Sequence, residues 1–483
     1  MVQTKRMSEQ KTLTLSLISH TNVGKTTLAR TLLRQDVGDA HDGPHVTDSS
    51  SAYSLIETDD GEALKLWDTP GFGDSARLLK RLKKEKGSFS WLVNKAWDRF
   101  ADRPFWCSQQ AVQNVQEEAD VVLYLISASE DPASAGYVDM EMEILTWIGK
   151  PVMVLLNQTG APRAAEIEAK EEEEWREHLR EFEAVRAVLG LDAFARCWIQ
   201  EDELMRVVAA ALEKGEKRDL AEALGKAWKA KNRDVFEASA EAIAGQLAAS
   251  ATDKVAVTKE TLLQKFWLGR RELNTELRSA RNSLTERLAE RAKGTMDRLI
   301  ALHDLEGQSA IGFAESSLEN FAMPERVSEP LWTAVGGFAA GASGGLVADL
   351  AHGGLTLGGG AILGGLGGGA GAYLLAKGMN LTRGKDHCVY WTLGHFREQV
   401  GLALLSYLAV AHFGRGRGEW EDAEHPPFWA DEVKSVLESH SGKVEKVWKR
   451  GTDGQTKDKV LAKLEPLVLE LLEELLERLY PDD

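Results

Sequence analysis

One short stretch constrains this chain more than any other. Residues 12–19, TLTLSLIS, alternate and are rich in β-formers, as a strand requires. From Lys25 onward the spacing changes, and Leu28, Leu32 and Leu33 fall on one helical face. Between strand and helix lies His20-Thr21-Asn22-Val23-Gly24-Lys25-Thr26-Thr27. The order matches a phosphate-cradling loop, G-x-x-x-x-G-K-[ST], with Ser19 in the place of the first glycine. A helix N-terminus at that point offers unpaired N–H groups and a positive dipole end to an anion. In such a loop Lys25 reaches the outer phosphates and the Thr26 hydroxyl binds Mg²⁺. A serine fits the first position if its φ is negative.

A second element answers the first. Residues 63–74, ALKLWDTPGFGD, form a strand that ends in Asp68-Thr69-Pro70-Gly71. A carboxylate at the tip of a neighbouring strand can hold the Mg²⁺ shell, and the Gly71 N–H can bond a γ-phosphate and report its loss. Further strands follow in α/β rhythm. Residues 120–128 and 151–159 are continuous apolar runs, as buried parallel strands should be. A helix lies between them around 138–150. A charged helix is expected over 163–189, with Trp175, Leu179, Phe182 and Val185 on its apolar face, then a short strand at 195–200. The fold class is α/β, a doubly wound, mostly parallel sheet with its ligand at the carboxyl ends of the strands, followed by a mainly helical domain.

These residues resemble P-loop GTPases of the TrmE/Era-like branch of the translation-factor-related class. Asn22-Val23-Gly24-Lys25-Thr26 matches that family's N-V-G-K-[ST], and Asp68-Thr69-Pro70-Gly71 its D-T-P-G. The resemblance covers about residues 11–215. It implies GTP and GDP as ligands with Mg²⁺, and GTP hydrolysis. It also implies a nucleotide site built from Asn22, Val23, Gly24, Lys25, Thr26, Thr27, Asn157 and Gln158. Thr47, in the segment 39–55, would be the switch threonine that joins Thr26 and Asp68 on the metal. Lys25, Asn22 and Gly71 would carry the catalytic roles. Asn22 would either hold a K⁺ beside the phosphates or only brace the loop.

Two departures bear on chemistry. The base-reading N-K-x-D reads Asn157-Gln158-Thr159-Gly160 here, so the carboxylate that accepts from guanine is absent, and ATP stays open as the ligand. Phe72 follows Gly71 where Ras-like proteins carry a water-orienting glutamine. Water must then be positioned by another group or a partner.

The second half reads differently. Residues 216–330 are helical in pattern, with Leu273, Leu277, Ala280, Leu284 and Leu288 at near-heptad spacing. Packing within their own domain is favoured over a coiled-coil arm, because few heptads are sustained. Residues 331–376 form a glycine-rich apolar region. Its runs 332–348 and 353–376 hold no charge, and Asp349 and His352 lie at the turn between them. Glycines four apart permit close helix approach. A membrane-inserted hairpin and a close-packed soluble one both fit, since glycine is a poor helix former and barely hydrophobic. Residues 377–483 read as helical again. There Leu461, Leu464, Val468, Leu472, Leu475 and Leu479 form an apolar stripe that docks on its own domain or on a partner helix, including one from a homodimer.

Charge narrows the class. The formal net charge of −17 argues against a nucleic-acid partner. The three cysteines, Cys107, Cys197 and Cys388, have neither metal nor disulfide spacing and fit a reducing cytoplasm. The expectation is a cytoplasmic GTPase switch whose helical half contacts a bacterial inner membrane. A dynamin-like membrane-remodelling GTPase and a nucleotide-binding scaffold without hydrolysis are the alternatives.

Overall fold

The structure is a computed structural model. It describes residues 11–35, 50–85, 102–158, 163, 165–195, 197–257, 270–305, 379–381, 388–414 and 426–481. The chain divides into two compact units. The first comprises Met1–Val235, His303–Leu305 and Ala411–Glu419, and the second comprises the remainder.

In the first unit the elements run β1 (Thr12–Ser19), α1 (Lys25–Leu33), β2 (Ser51–Glu57), β3 (Ala63–Asp68), α2 (Ser75–Lys84) and α3 (Arg103–Glu117). They continue with β4 (Val121–Ser127), α4 (Gly136–Ile148), β5 (Val152–Asn157), α5 (Ala165–His178), β6 (Val185–Gly190) and α6 (Trp198–Ala211). The sheet order is β2-β3-β1-β4-β5-β6. All pairings are parallel except β2 with β3, an antiparallel edge pair. Alternation along the strands feeds two cores. Leu13, Leu15 and Leu17 of β1 join Leu123 and Leu125 of β4 beneath α1 and α6. Ile18, Val122, Tyr124 and Ile126 face the opposite way, onto residues of α2, α3, α4 and α5. Strands β4 and β5 are buried along their whole length, which is why they read as unbroken apolar runs.

The doubly wound, mostly parallel sheet matches the fold expected from sequence, but two boundaries move. The charged helix ends at His178 rather than 189, and the last sheet strand is Val185–Gly190. Residues 198–200, expected as strand, begin α6 instead. The apolar spacing of Trp175 and Leu179 is helical, and both are buried. Phe182 and Val185 continue that spacing by chance, through a turn and into the next strand.

The second unit is mainly helical. A long helix, α7 (Glu216–Thr252), whose residues to Val235 belong to the first unit, is followed by β7 (Lys254–Ala256), α8 (Arg270–Leu302), β8 (Met379–Leu381), β9 (Cys388–Trp391) and α9 (Leu393–Ala411). Helices α10 (Pro427–Ser439), α11 (Ser441–Thr452) and α12 (Lys457–Leu479) close the chain. The three short strands form an antiparallel sheet in the order β7-β9-β8, which the helical reading of this half did not contain. Leu277, Ala280 and Leu284 of α8 are buried against Val257, Val389 and Trp391, so this stripe packs within its own unit. On α12, Leu464, Val468, Leu472 and Leu475 are buried, and the helix packs on α10 and α11. The glycine-rich hairpin expected over 331–376 lies outside the described residues. Among the described residues, no helix is long and apolar enough to cross a membrane.

Candidate functional site

Among the described residues, the sequence-predicted site residues converge on the carboxyl ends of β1, β3 and β5. Strand β1 delivers the phosphate loop and α1 starts at Lys25, directly after Gly24. Gly24 has φ +89°, a left-handed conformation that suits glycine, and a Cβ there would lie 2.8 Å from Asn157 Nδ2. Asn22 also takes a positive φ, 67°, and is exposed at the loop tip. Val23 is buried, and Thr27 is half-buried in the first turn of α1.

Ser19 is not among the positive-φ residues, so its side chain meets no backbone penalty. Its hydroxyl donates to the His20 carbonyl at 2.5 Å and accepts from Lys25 Nζ at 3.0 Å. Lys25 is buried, and burial lowers its pKa while the nearby Asp68 charge opposes that shift.

Asp68 closes β3 and is 2% exposed. Thr26 Oγ1 donates to its Oδ2 at 2.6 Å. Burial raises the carboxyl pKa in spite of that bond. The other oxygen, Oδ1, is buried without a hydrogen-bond partner. A buried carboxylate oxygen left unpaired beside a threonine hydroxyl fits a divalent cation, and Mg²⁺ binds through one or two carboxylates plus phosphates and water. Thr47, the third expected metal contact, lies outside the described residues.

The turn after Asp68 is tied down at each step. Phe72 N–H donates to the Ser19 carbonyl at 2.9 Å, and Phe72 is fully buried. The N–H groups of Gly73 and Asp74 both donate to Ser108 Oγ of α3, at 3.0 Å each. At Gly71 a Cβ would meet Lys25 Nζ at 2.9 Å and the His20 carbonyl oxygen at 3.1 Å. The glycine therefore lies directly against the Lys25 side chain.

On the other side of the loop, Asn157 is fully buried at the end of β5. Its Nδ2 donates to the Val23 carbonyl at 2.7 Å, and its Oδ1 accepts from Ala193 N–H at 2.8 Å. Gln158 is exposed with φ 61°, and its Oε1 accepts from Ser127 Oγ at 3.1 Å. Gly160 lies outside the described residues.

Several contributors had no motif to announce them. The loop 192–195 follows β6, and its Ala193 carbonyl accepts from Thr31 Oγ1 of α1 at 2.8 Å. Phe194 accepts in turn from Gly414 N–H at 3.2 Å. The other contributors are His20 and Glu141. Glu141 did leave a signal, because Val138, Glu141, Met142 and Leu145 share one helical face and a lone glutamate there demands partners.

Two family models match parts of the chain. Residues 14–158 match the family described as 50S ribosome-binding GTPase. Residues 176–405 match a domain of unknown function (DUF3482). No curated protein matches the chain. Among solved structures, Aquifex aeolicus Era bound to GDP and AlF4⁻ shares 18% identity over 43% of this chain and 58% of its own, with a TM-score of 0.31. Era in complex with MgGDPNP and part of 16S ribosomal RNA shares 18% over 43% of this chain and 59% of its own, with a TM-score of 0.31. A bacterial selenocysteine-specific elongation factor shares 15% over 43% of this chain and 29% of its own, with a TM-score of 0.26. This chain thus spans less than two thirds of the length of the Era chains. The N-terminal portion of the chain, over residues 14–158, is thus similar to a GTPase family, and residues 176–405 are similar to a domain family of unknown function.

Proposed function

We propose that this chain binds one guanine nucleotide with Mg²⁺, hydrolyses GTP, and acts as a molecular switch. The observation that carries the reading is the set Lys25, Thr26, Asp68 and Gly71, brought to one edge of the sheet within a GTPase domain. Lys25 neutralises phosphate charge. Thr26 and Asp68 hold the metal together with Thr47, and Gly71 N–H senses the γ-phosphate. Asn22, Val23, Gly24 and Thr27 line the phosphates. Asn157 and Gln158 lie on the base side, and Asn22 holds a K⁺ that offsets charge building on the phosphates during hydrolysis. The helical half carries the output, through 332–376 at a membrane surface or through a protein partner or second copy.

A second reading is a nucleotide-binding scaffold without turnover. The fully buried Phe72 favours it, because that side chain cannot orient water. Phosphate release from GTP by the purified chain, in Mg²⁺ with K⁺ or with Na⁺, separates the two. Turnover at least tenfold faster in K⁺ is the result expected. No turnover in either salt, with or without anionic vesicles, would sink the enzyme reading and leave the scaffold.

A further inference from the structure

Glu141 is a carboxylate with no exposure, set in the core of the GTPase domain. Burying a charge in this way costs several kcal/mol unless hydrogen bonds replace the lost water. Three arrive, each from a different element. His20 Nδ1 of the phosphate loop lies 2.8 Å from Oε1. Ser75 Oγ, the first residue of α2, donates to the same oxygen at 2.5 Å. Tyr124 OH of β4 donates to Oε2 at 2.5 Å. A role in packing alone would be met by an apolar side chain, as at Met142 on the next position of α4.

The two donors that share Oε1 flank the turn that matters. His20 precedes the phosphate-binding lysine, and its carbonyl lies against Gly71. Ser75 follows Gly71 and opens the helix after it. Resting on the GTPase reading above, we propose that Glu141 is a positioning residue for hydrolysis. It clamps His20 and Ser75 to one oxygen and so fixes the Gly71 turn against the phosphate loop.

His20 has a further neighbour beside the clamp. Its ring is one third exposed and stacks on Tyr137 at 4.4 Å. Tyr137 donates to Glu130 at 2.7 Å. The hydrogen bond that His20 donates to Glu141 raises the His20 pKa, with burial and Lys25 opposing and Glu130 adding to it. Ser75 and Tyr124 add no charge at neutral pH.

The test is Glu141→Gln, which keeps the size and one acceptor oxygen but removes the charge. The expected result is a kcat at least tenfold lower with GDP affinity within threefold of wild type. Glu141→Asp should recover part of the rate. Unchanged kcat would overturn the proposal. Equal losses of kcat, affinity and thermal midpoint would also overturn it, as the mark of a purely structural role. If wild type itself shows no turnover, the GTPase reading fails separately. Hydrogen exchange of residues 71–82 then decides on the clamp: faster exchange in Glu141→Gln supports it, and unchanged exchange refutes it.

Discussion

Gly71 illustrates what a single position demands. Its φ is not in the left-handed range, so the requirement is space rather than backbone freedom. A methyl group there would push on Lys25 Nζ, the far end of a flexible side chain, and on the rigid His20 carbonyl. Gly71→Ala should therefore keep the fold while displacing the lysine. The expected outcome is GTP binding weaker by about tenfold, ~1.4 kcal/mol, with the thermal midpoint within a few degrees of wild type. Calorimetry and thermal unfolding check it. At this scale the sequence was informative where a motif fixes both residue and spacing, as at Gly24, Lys25, Thr26 and Asp68. It was silent where residues meet only through the fold. Glu141 lies 121 positions from His20 and 66 from Ser75, and no local pattern joins them. Ser19, the apparent flaw in the loop, is a partner of Lys25.

Elements were legible where the pattern was long and one-sided. Strand β1 falls on the residues read from alternation, and β4 and β5 differ from the apolar runs only at their ends. The α5–β6 junction was misread because helical spacing persisted past the true helix end. One interaction fixes that junction. Gly190 N–H, at the end of β6, donates to Glu172 Oε1 of α5 at 2.7 Å. Burial raises the Glu172 carboxyl from 4.5 to about 6. The folded chain then holds this proton more tightly than the unfolded chain. The resulting stability is fully present below pH 4.5 and is lost as pH rises through about 6. Glu172→Gln keeps an acceptor for Gly190 and should flatten the pH dependence of the denaturation midpoint between 4.5 and 6, while leaving the rest of the profile unchanged. The three short strands of the second unit were illegible for another reason. They are three or four residues long, and β7 is far from β8 and β9 in sequence. Periodicity needs more residues than that to register.

At the scale of the molecule, one chain joins an α/β unit, whose residues 14–158 match a GTPase family, to a largely helical unit with its own core. The loop 192–195 receives Asn157 from β5, Thr31 from α1 and Gly414 from the chain beyond α9. Residues separated by more than 200 positions therefore support one edge of the candidate site. The central claim is that this site, built around Lys25, binds guanine nucleotide. The most direct measurement is a calorimetric titration of GDP and GTP into the full chain and into Lys25→Ala, with ATP as competitor. The account predicts one guanine nucleotide per wild-type chain, little competition from ATP, and binding weakened at least ~100-fold by Lys25→Ala, about 2.7 kcal/mol. Equal binding by wild type and variant would contradict it.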